Sequence, residues 1–231
     1  MTEFSSEVKD KLTAFLSDYV TDHKQKLIED VLSKRSRDTV LVLEDIYKPH
    51  NASAVIRTAE CLGIQDIHVI QNTNAYTINP YVLRGSLKWL SMYSYGDGDG
   101  HYTAECFDTL KEKGYKILVT SVSPEATPIY DLDVAEKQAI VFGTEYTGVS
   151  EYAEKAADQL ITIPMYGFTE SFNVSVSAGI ILQHLLNLQR KLPQWGLTDR
   201  EKADLRFEWY QKIAPKAEQL IKKFISSEGL L

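Results

Sequence analysis

Residues 163–176 have the sequence IPMYGFTESFNVSV, which joins the end of an apolar strand to the start of a long apolar helix. A proline and a glycine interrupt the strand pattern, and polar residues then stand where a packed core would have apolar ones. The flanking residues, 159–163 and 173–192, predict the strand and the helix. A strand that leads into a helix through a short loop is the unit from which α/β folds are built.

The same alternation of elements extends upstream. Further strands are predicted at residues 40–43, 66–70, 116–122 and 138–142, and further helices at 51–62 and 104–113. A less regular region predicts a short helix within residues 80–90 and a strand within 89–95. Strands that alternate with helices indicate a largely parallel sheet flanked by helices on both faces, which is an α/β fold.

Both ends of the chain predict helices. Apolar residues recur at intervals of three and four across residues 5–32. Near the other end, Thr198 and Glu201 have the spacing of a capping box, which begins the first of two C-terminal helices. We therefore predict three parts: a helical N-terminal extension at 1–37, an α/β domain at 38–192 and a helical C-terminal extension at 193–231.

The composition is that of an ordinary globular protein. The 231 residues are 44% hydrophobic and 25% charged, and no apolar run is long enough to span a bilayer. The first residues lack the basic start and apolar stretch of a signal peptide. Cys61 and Cys106 have no metal-ligand spacing and predict two free, buried thiols. We therefore expect a cytoplasmic protein without membrane contact.

Charge is distributed unevenly along the chain. The net charge is -7, and residues 38–189 alone carry 9 basic and 19 acidic side chains, a balance of -10. The densest basic cluster is Lys34-Arg35-Ser36-Arg37, and its side chains Lys34, Arg35 and Arg37 are candidates for binding the phosphates of a nucleic acid. The alternative is that this run is a solvated linker. An acidic body argues against a general nucleic-acid binder and places any phosphate contact at the ends of the chain.

Metal binding has little support. The stretch Gly96-Asp97-Gly98-Asp99-Gly100 predicts a flexible turn whose aspartates are compatible with calcium. It lacks, however, the ligand count and the closing glutamate of an EF-hand loop. We expect no bound metal.

Several polar or small residues follow the predicted strands at their carboxyl ends, where parallel α/β proteins bind ligands. They are Asn51, Arg57, Gly143, Glu145, Ser171 and Asn173. Each alone has a simpler interpretation, as a helix cap, a surface arginine, a turn glycine or a carboxylate paired with a local lysine. Because the fold would bring all of them to one edge of the sheet, we interpret them together as a site. No G-x-G-x-x-G follows the first strand, which disfavours a dinucleotide-binding fold.

The spacing of these residues is similar to that of a known family. The patterns are Asn51-x5-Arg57-x5-Gly63, Phe142-Gly143-x-Glu145-x2-Gly148 and Ile163-Pro164-Met165-x-Gly167-x3-Ser171-x-Asn173-Val174-Ser175. They resemble the three motifs of the SPOUT-class ribose 2'-O-methyltransferases, and the resemblance covers about residues 38–190. The entry sequence Lys48-Pro49-His50-Asn51 and the short helical extension are most similar to the TrmH-type tRNA guanosine methyltransferases.

The resemblance implies an S-adenosylmethionine-dependent enzyme of the SPOUT fold, with a deep trefoil knot in its C-terminal half. Enzymes of this family hold the cofactor mostly through backbone groups of the knotted loops. The matching positions are Thr120, Gly143, Ile163, Met165 and Phe172. Phe172 stands where leucine is common and keeps the position apolar. The resemblance also implies a homodimer whose active site lies near the subunit interface.

The implied reaction is methylation of the ribose 2'-oxygen of a guanosine in tRNA, at position 18 of the D-loop. Arg57 is the expected central residue. Because a guanidinium holds its proton tightly, we expect Arg57 to clamp a phosphate and stabilise the developing alkoxide rather than act as a base. The remaining polar residues, Asn51, Glu145, Ser171 and Asn173, would orient the arginine, the ribose and the backbone around the cofactor.

Three alternatives remain open at this stage. The substrate could be ribosomal RNA or the wobble nucleotide of tRNA, since both reactions belong to the same superfamily. The chain could also be a non-catalytic RNA-binding module that retains the fold. Arg57, Glu145 and Asn173 are all present, which favours an enzyme over the non-catalytic alternative.

Overall fold

The computed structural model describes residues 4–74, 77–96 and 101–229, so the predicted aspartate turn at 97–100 lies outside the described residues. The chain forms two compact units. Residues 36–195 make up the larger one, and the two ends of the chain, up to residue 35 and from residue 196, make up the smaller one. Whether the predicted parts 1–37, 38–192 and 193–231 are separate domains stays a prediction.

The larger unit is built on one sheet of seven parallel strands in the order β3-β2-β1-β6-β4-β7-β5. The strands are β1 Thr39–Glu44, β2 Asp66–Ile70, β3 Ser91–Tyr95, β4 Lys116–Thr120, β5 Thr127–Pro128, β6 Gln138–Phe142 and β7 Gln159–Thr162. The helices of this unit are α3 Pro49–Cys61, α4 Pro80–Leu83, α5 Tyr102–Glu112, α6 Glu151–Ala156 and α7 Val174–Gln189. This confirms the predicted α/β fold with a largely parallel sheet.

Both faces of the sheet are buried. In β1, Leu41 and Leu43 belong to a core that also contains the apolar side chains of α3 and α7. Val40 and Val42 face the opposite core, which contains Phe107 of α5. A strand covered on both faces needs an uninterrupted apolar sequence rather than an alternating one, and β1 has such a sequence. The knot implied by the family resemblance stays a prediction.

Some predicted boundaries were wrong for identifiable reasons. The helix predicted at 80–90 is interrupted at Arg84 and Gly85, which have φ values of 47° and 83°. The helix predicted at 51–62 begins earlier, because Pro49 occupies the first turn, where its missing N–H costs nothing. The prediction of two buried thiols was also wrong, since Cys106 is buried but Cys61 is exposed.

The smaller unit consists of four helices drawn from both ends of the chain. They are α1 Ser6–Ser17, α2 Asp22–Leu32, α8 Asp199–Ile213 and α9 Ala217–Glu228. The predicted capping box is confirmed, because Thr198 and Glu201 each accept a backbone hydrogen bond from the other. Ion pairs join the two ends: Lys9 with Asp204 at 2.8 Å and Arg206 with Glu29 at 2.5 Å. None of the described helices is both long enough and apolar enough to cross a bilayer.

Candidate active site

One cavity lies at the carboxyl end of the sheet, where the loops after β4, β6 and β7 meet. These loops are neighbours because β4 lies between β6 and β7. The cavity has a volume of about 350 Å³, within the range of small-molecule sites. All the residues predicted to bind the cofactor line it: Thr120, Gly143, Ile163, Met165 and Phe172. The structure therefore brings together positions that are up to 52 residues apart in the sequence (172 minus 120).

The loop after β6 folds back tightly on itself. Thr144 and Gly148 exchange backbone hydrogen bonds of 2.8 and 3.2 Å, and Gly148 has a φ of 68°, which favours glycine. A Cβ added to Gly143 would lie 2.2 Å from the carbonyl oxygen of Gly148. No side chain fits at this separation, so the backbone path of the cavity wall requires glycine at position 143.

A polar network connects the loops after β1, β6 and β7. The carboxylate of Glu145 accepts hydrogen bonds from Lys48 Nζ and from Asn173 Nδ2. Asn173 Nδ2 also lies 3.5 Å from Oδ1 of Asn51, while its own Oδ1 accepts from the backbone N–H of Ser175 at 2.9 Å. The network therefore joins all three sequence patterns, since Asn51 lies in the first turn of α3.

The network fixes the charge states of its ionisable members. The hydrogen bond from Lys48 lowers the pKa of Glu145, and contacts with Asn51 and Asn173 act in the same direction. The same bond to Glu145 raises the pKa of Lys48. Glu145 is therefore a poor proton acceptor near neutral pH. It is better suited to hold the two side chains that donate to it.

A second carboxylate, that of Glu44, stabilises the loop after β6. Glu44 at the end of β1 is only 1% exposed. It accepts hydrogen bonds from the backbone N–H and the hydroxyl of Ser150, at 2.7 and 2.8 Å, and from the Thr103 hydroxyl at 2.5 Å. Ser150 in turn caps α6. Glu44 thus connects the far end of the Gly143–Ser150 loop to β1.

Arg57 lies apart from the network. It is six positions after Asn51 on α3, which places the two side chains about 120° apart around the helix axis. Its Nη1 donates to the backbone carbonyl of Val82 at 3.4 Å, and the side chain is half-buried. Among the described contacts none joins Arg57 to Glu145 or Asn173. Ser171, by contrast, lines the cavity and is exposed.

Comparison with known proteins shows which family the chain belongs to. The model of the SpoU rRNA Methylase family matches residues 38–183. The chain is 40% identical to the tRNA (guanosine(18)-2'-O)-methyltransferase of Borreliella burgdorferi, over 94% of this chain and 97% of that protein. The Thermus thermophilus enzyme of the same name is 36% identical, over 84% and 94%. The chain belongs to the SpoU rRNA methylase family.

The SpoU fold is also seen in the solved structures. The A. aeolicus TrmH/SpoU tRNA modifying enzyme superposes with a TM-score of 0.73 at 27% identity, and the match covers 84% of this chain and 98% of that one. The matched SpoU region includes all three sequence patterns, from Asn51 to Ser175. The family resemblance drawn from the sequence is therefore confirmed, and so is the class of fold.

The basic run next to the SpoU region differs from the prediction. Arg35 is 1% exposed, and its guanidinium lies 5.5 Å from the centre of the Trp209 ring. Its assignment to RNA binding was wrong, because a side chain buried in this way has no free donors to offer a phosphate. Arg37 forms an ion pair with Asp66 at 3.1 Å. Lys34 remains 68% exposed and, just after the end of α2, pairs with Asp30 of that helix.

The sequence did not single out every residue of this SpoU site. Lys48 drew attention only as part of an entry sequence, yet it is the cation that holds Glu145. Glu44 ends an apolar strand, and a lone acidic residue inside a buried segment was the available signal. The simpler interpretations fail for two residues: Asn51 is not the cap of α3, and the lysine paired with Glu145 is 97 residues away rather than local.

Proposed function

We propose that this SpoU enzyme transfers the methyl group of S-adenosylmethionine to the ribose 2'-oxygen of a guanosine in tRNA, at position 18 of the D-loop. The polar network of Glu145, Asn173, Asn51 and Lys48 beside the cavity carries this proposal. The relatives from B. burgdorferi and T. thermophilus are named for that reaction. Because tRNA is the proposed substrate, a cytoplasmic location is proposed with it.

The cavity has the chemistry that S-adenosylmethionine requires. Phe142, Ile161 and Ile181 supply apolar surface for an adenine ring. Glycine at position 143 lets the loop pack directly against Gly148, so main-chain groups form this part of the cavity wall, as a cofactor held by main-chain groups needs. The carboxylates of Glu154 and Glu170 also line the cavity, where they suit a ligand that carries positive charge. When bound, this cofactor supplies an electrophilic methyl group on a sulfonium.

The chain's own residues position the nucleophile. A ribose hydroxyl is a weak nucleophile, and negative charge develops on its oxygen as its proton passes to water at the cavity. We assign Arg57 to a neighbouring phosphate and to this developing charge, since a guanidinium forms two parallel hydrogen bonds and keeps its proton. Asn51, Asn173 and Ser171 are assigned to orient the ribose, and Glu145 holds the two amide side chains in place. Correct alignment of the oxygen supplies much of the rate.

A two-fold dimer is part of the proposal. Of the apolar residues on α7, Ile181, Leu182, Leu185 and Leu186 are buried in the core of the larger unit. Ile180 is only partly buried and Val176 is 47% exposed, one helical turn away. This exposed apolar edge suits contact with a second copy of the chain. In such a dimer, the second copy would also offer a surface for the side chain of Arg57 to face.

Of the basic residues predicted to bind RNA, only those with accessible side chains remain candidates. Lys34 is proposed to contact phosphate, and Arg37 can do so only by giving up part of its ion pair with Asp66. Each phosphate neutralised by a cation releases counterions, so affinity falls with salt. No group of three or more His, Cys, Asp or Glu residues in the described part of the chain is placed to hold a metal, and the proposed reaction uses none.

The test is methyl transfer from labelled S-adenosylmethionine to an unmodified tRNA transcript, followed by nuclease digestion. We expect the label on the ribose of a single guanosine in the D-loop. A transcript in which that guanosine carries 2'-deoxyribose is the control and should receive no label. Label on a base would overturn the proposal, as would methylation of ribosomal RNA in preference to tRNA.

A further inference from the structure

Exposed aromatic rings are concentrated on the loops around the cavity. Tyr47 follows β1 and is 41% exposed, and Tyr146 follows β6 and is 79% exposed. Tyr166 and Phe168, in the loop after β7, are almost entirely exposed. Scattered exposed apolar residues are ordinary, but Tyr146 itself lines the cavity and the other three rings lie on neighbouring strand-exit loops, a grouping that indicates a binding surface.

Two of these rings surround a cation. Nζ of Lys48 lies 5.0 Å from the ring centre of Tyr146 and 6.0 Å from that of Tyr47, which is the range of cation–π attraction. The same ammonium is held by Glu145. The positions of both rings are therefore coupled, through Lys48, to the polar network beside the cavity. We call Tyr47, Lys48 and Tyr146 the tyrosine–lysine clamp.

We infer that the tyrosine–lysine clamp receives an unpaired nucleobase of the RNA substrate, with Tyr146 as its main stacking surface. This inference rests on the proposed function. A ribose hydroxyl can reach the cavity only if its nucleotide leaves the stacked helix or loop, and the bases that lose their neighbours need new partners. Exposed rings provide such partners for any base, because every base has a flat π face.

Charge favours RNA over a second copy of the chain as the occupant. Lys48 is 40% exposed in spite of its ion pair, so an apolar contact over the clamp would remove a cation from water. A nucleotide instead places a phosphate near that cation and a base on the ring. The tyrosine hydroxyls can also donate to RNA oxygens. The clamp thus gives an acidic body a local means of attracting an anionic substrate.

The test uses a tRNA with the fluorescent base 2-aminopurine beside the target guanosine, since stacking on an aromatic ring quenches its emission. The variants are Tyr146→Ala, Tyr146→Phe and, as a matched control, Tyr152→Ala. Tyr152 is 47% exposed on α6 and does not line the cavity. We expect Tyr146→Ala to lose the quenching and to raise the KM for tRNA about tenfold. Tyr146→Phe should keep the quenching, because its ring is retained, and Tyr152→Ala should behave as the wild type.

Other outcomes separate the clamp from the proposed function. Quenching by Tyr146 in an enzyme that methylates no tRNA would support the clamp and overturn the function. Methylation with an unchanged KM and unchanged quenching in Tyr146→Ala would overturn the clamp alone. Loss of cofactor affinity equal to the loss of RNA affinity would assign the ring to the cofactor site, against the inference. If the Tyr146→Ala variant dissociates into monomers in sedimentation, the Tyr146 ring would instead be assigned to contact between copies of the chain.

Discussion

Asn173 donates a hydrogen bond from Nδ2 to Oε1 of Glu145, although 28 positions separate the two residues in the chain. The other end of the same amide accepts from the backbone of Ser175 and so caps α7. One side chain therefore begins a helix and also holds the carboxylate of the proposed active site. Structural and catalytic roles are combined in a way that substitutions can separate.

Asn173→Asp should make that separation. Aspartate is as good a helix cap as asparagine, so the thermal midpoint should change little. The donor to Glu145 is lost, however, and two carboxylates then repel each other, so kcat/KM should fall at least about tenfold. Asn173→Ala loses both roles and should lower the thermal midpoint as well. Calorimetry and steady-state methylation measure the two effects, and an Asn173→Asp variant with wild-type turnover would contradict the assignment.

Gly143→Ala should damage the cofactor site without unfolding the protein. The added Cβ would meet the Gly148 carbonyl at 2.2 Å, so the loop must open. We expect the Kd for S-adenosylmethionine to rise by at least about tenfold, since a displaced loop loses several main-chain contacts. Titration calorimetry measures this. Gly179→Ala is the matched control, because nothing lies within 4 Å of its added Cβ and its affinity should stay unchanged.

The Lys48–Glu145 pair should give stability within a defined pH window. The lowered pKa of Glu145 means that its contribution is present above its ordinary pKa of 4.5 and is lost as the pH falls through the lower folded-state value. The raised pKa of Lys48 means that its contribution is present below 10.5 and is lost as the pH rises further. The difference in thermal midpoint between wild type and Lys48→Met should therefore be constant near neutrality and shrink at both extremes. A difference that grows in acid would refute this.

Arg57→Ala should lose turnover and keep cofactor binding. Removing a group that stabilises transition-state charge costs about a hundredfold or more in rate. Arg57 is not among the described residues that line the cavity, so the Kd for S-adenosylmethionine should change less than about twofold. Arg57→Lys should also fail, because an ammonium cannot form the two parallel hydrogen bonds of a guanidinium. Single-turnover rates measure both variants. A fully active Arg57→Lys variant would show that turnover needs only the positive charge at this position.

Substitutions in the basic run should separate stability from RNA binding. Arg35→Ala removes a buried side chain that packs on Trp209 and should lower the thermal midpoint. Lys34→Ala should leave stability unchanged, since its pair with Asp30 is exposed. We expect Lys34→Ala to reduce the salt dependence of tRNA binding by about one unit. If the slope is unchanged, the phosphates are bound elsewhere on the protein.

The strands and long helices were predictable from the sequence because their signals are local. The apolar run of β1 and the spacing of α3 each depend on a few neighbouring residues, and both proved nearly correct. The seven-strand order was not predictable, since nothing local places β4 between β6 and β7. The two short helical pieces around Arg84 were missed because the break depends on backbone angles that a periodic pattern does not reveal.

The site shows the same division. The positions predicted to bind the cofactor came from a family resemblance, and the structure places all of them on one cavity. Lys48 and Glu44 act through contacts with residues about a hundred positions away, which no spacing rule reports. Arg35 was misassigned for a related reason. A run of basic residues predicts exposure, whereas the burial of one member depends on Trp209 at the other end of the chain.

The four-helix unit has a consequence for synthesis of the protein. Its first two helices are synthesised before the larger unit, but α8 and α9 follow only after the 160 residues of that unit (195 minus 35). At about 5–20 residues per second, α1 and α2 wait roughly 8 to 30 s for their partners. During that interval the apolar side chains of Leu12 and Leu16, fully buried in the finished protein, have nothing from the C-terminal end to cover them. The packing of α1 against the two C-terminal helices therefore forms only after the larger unit has been made.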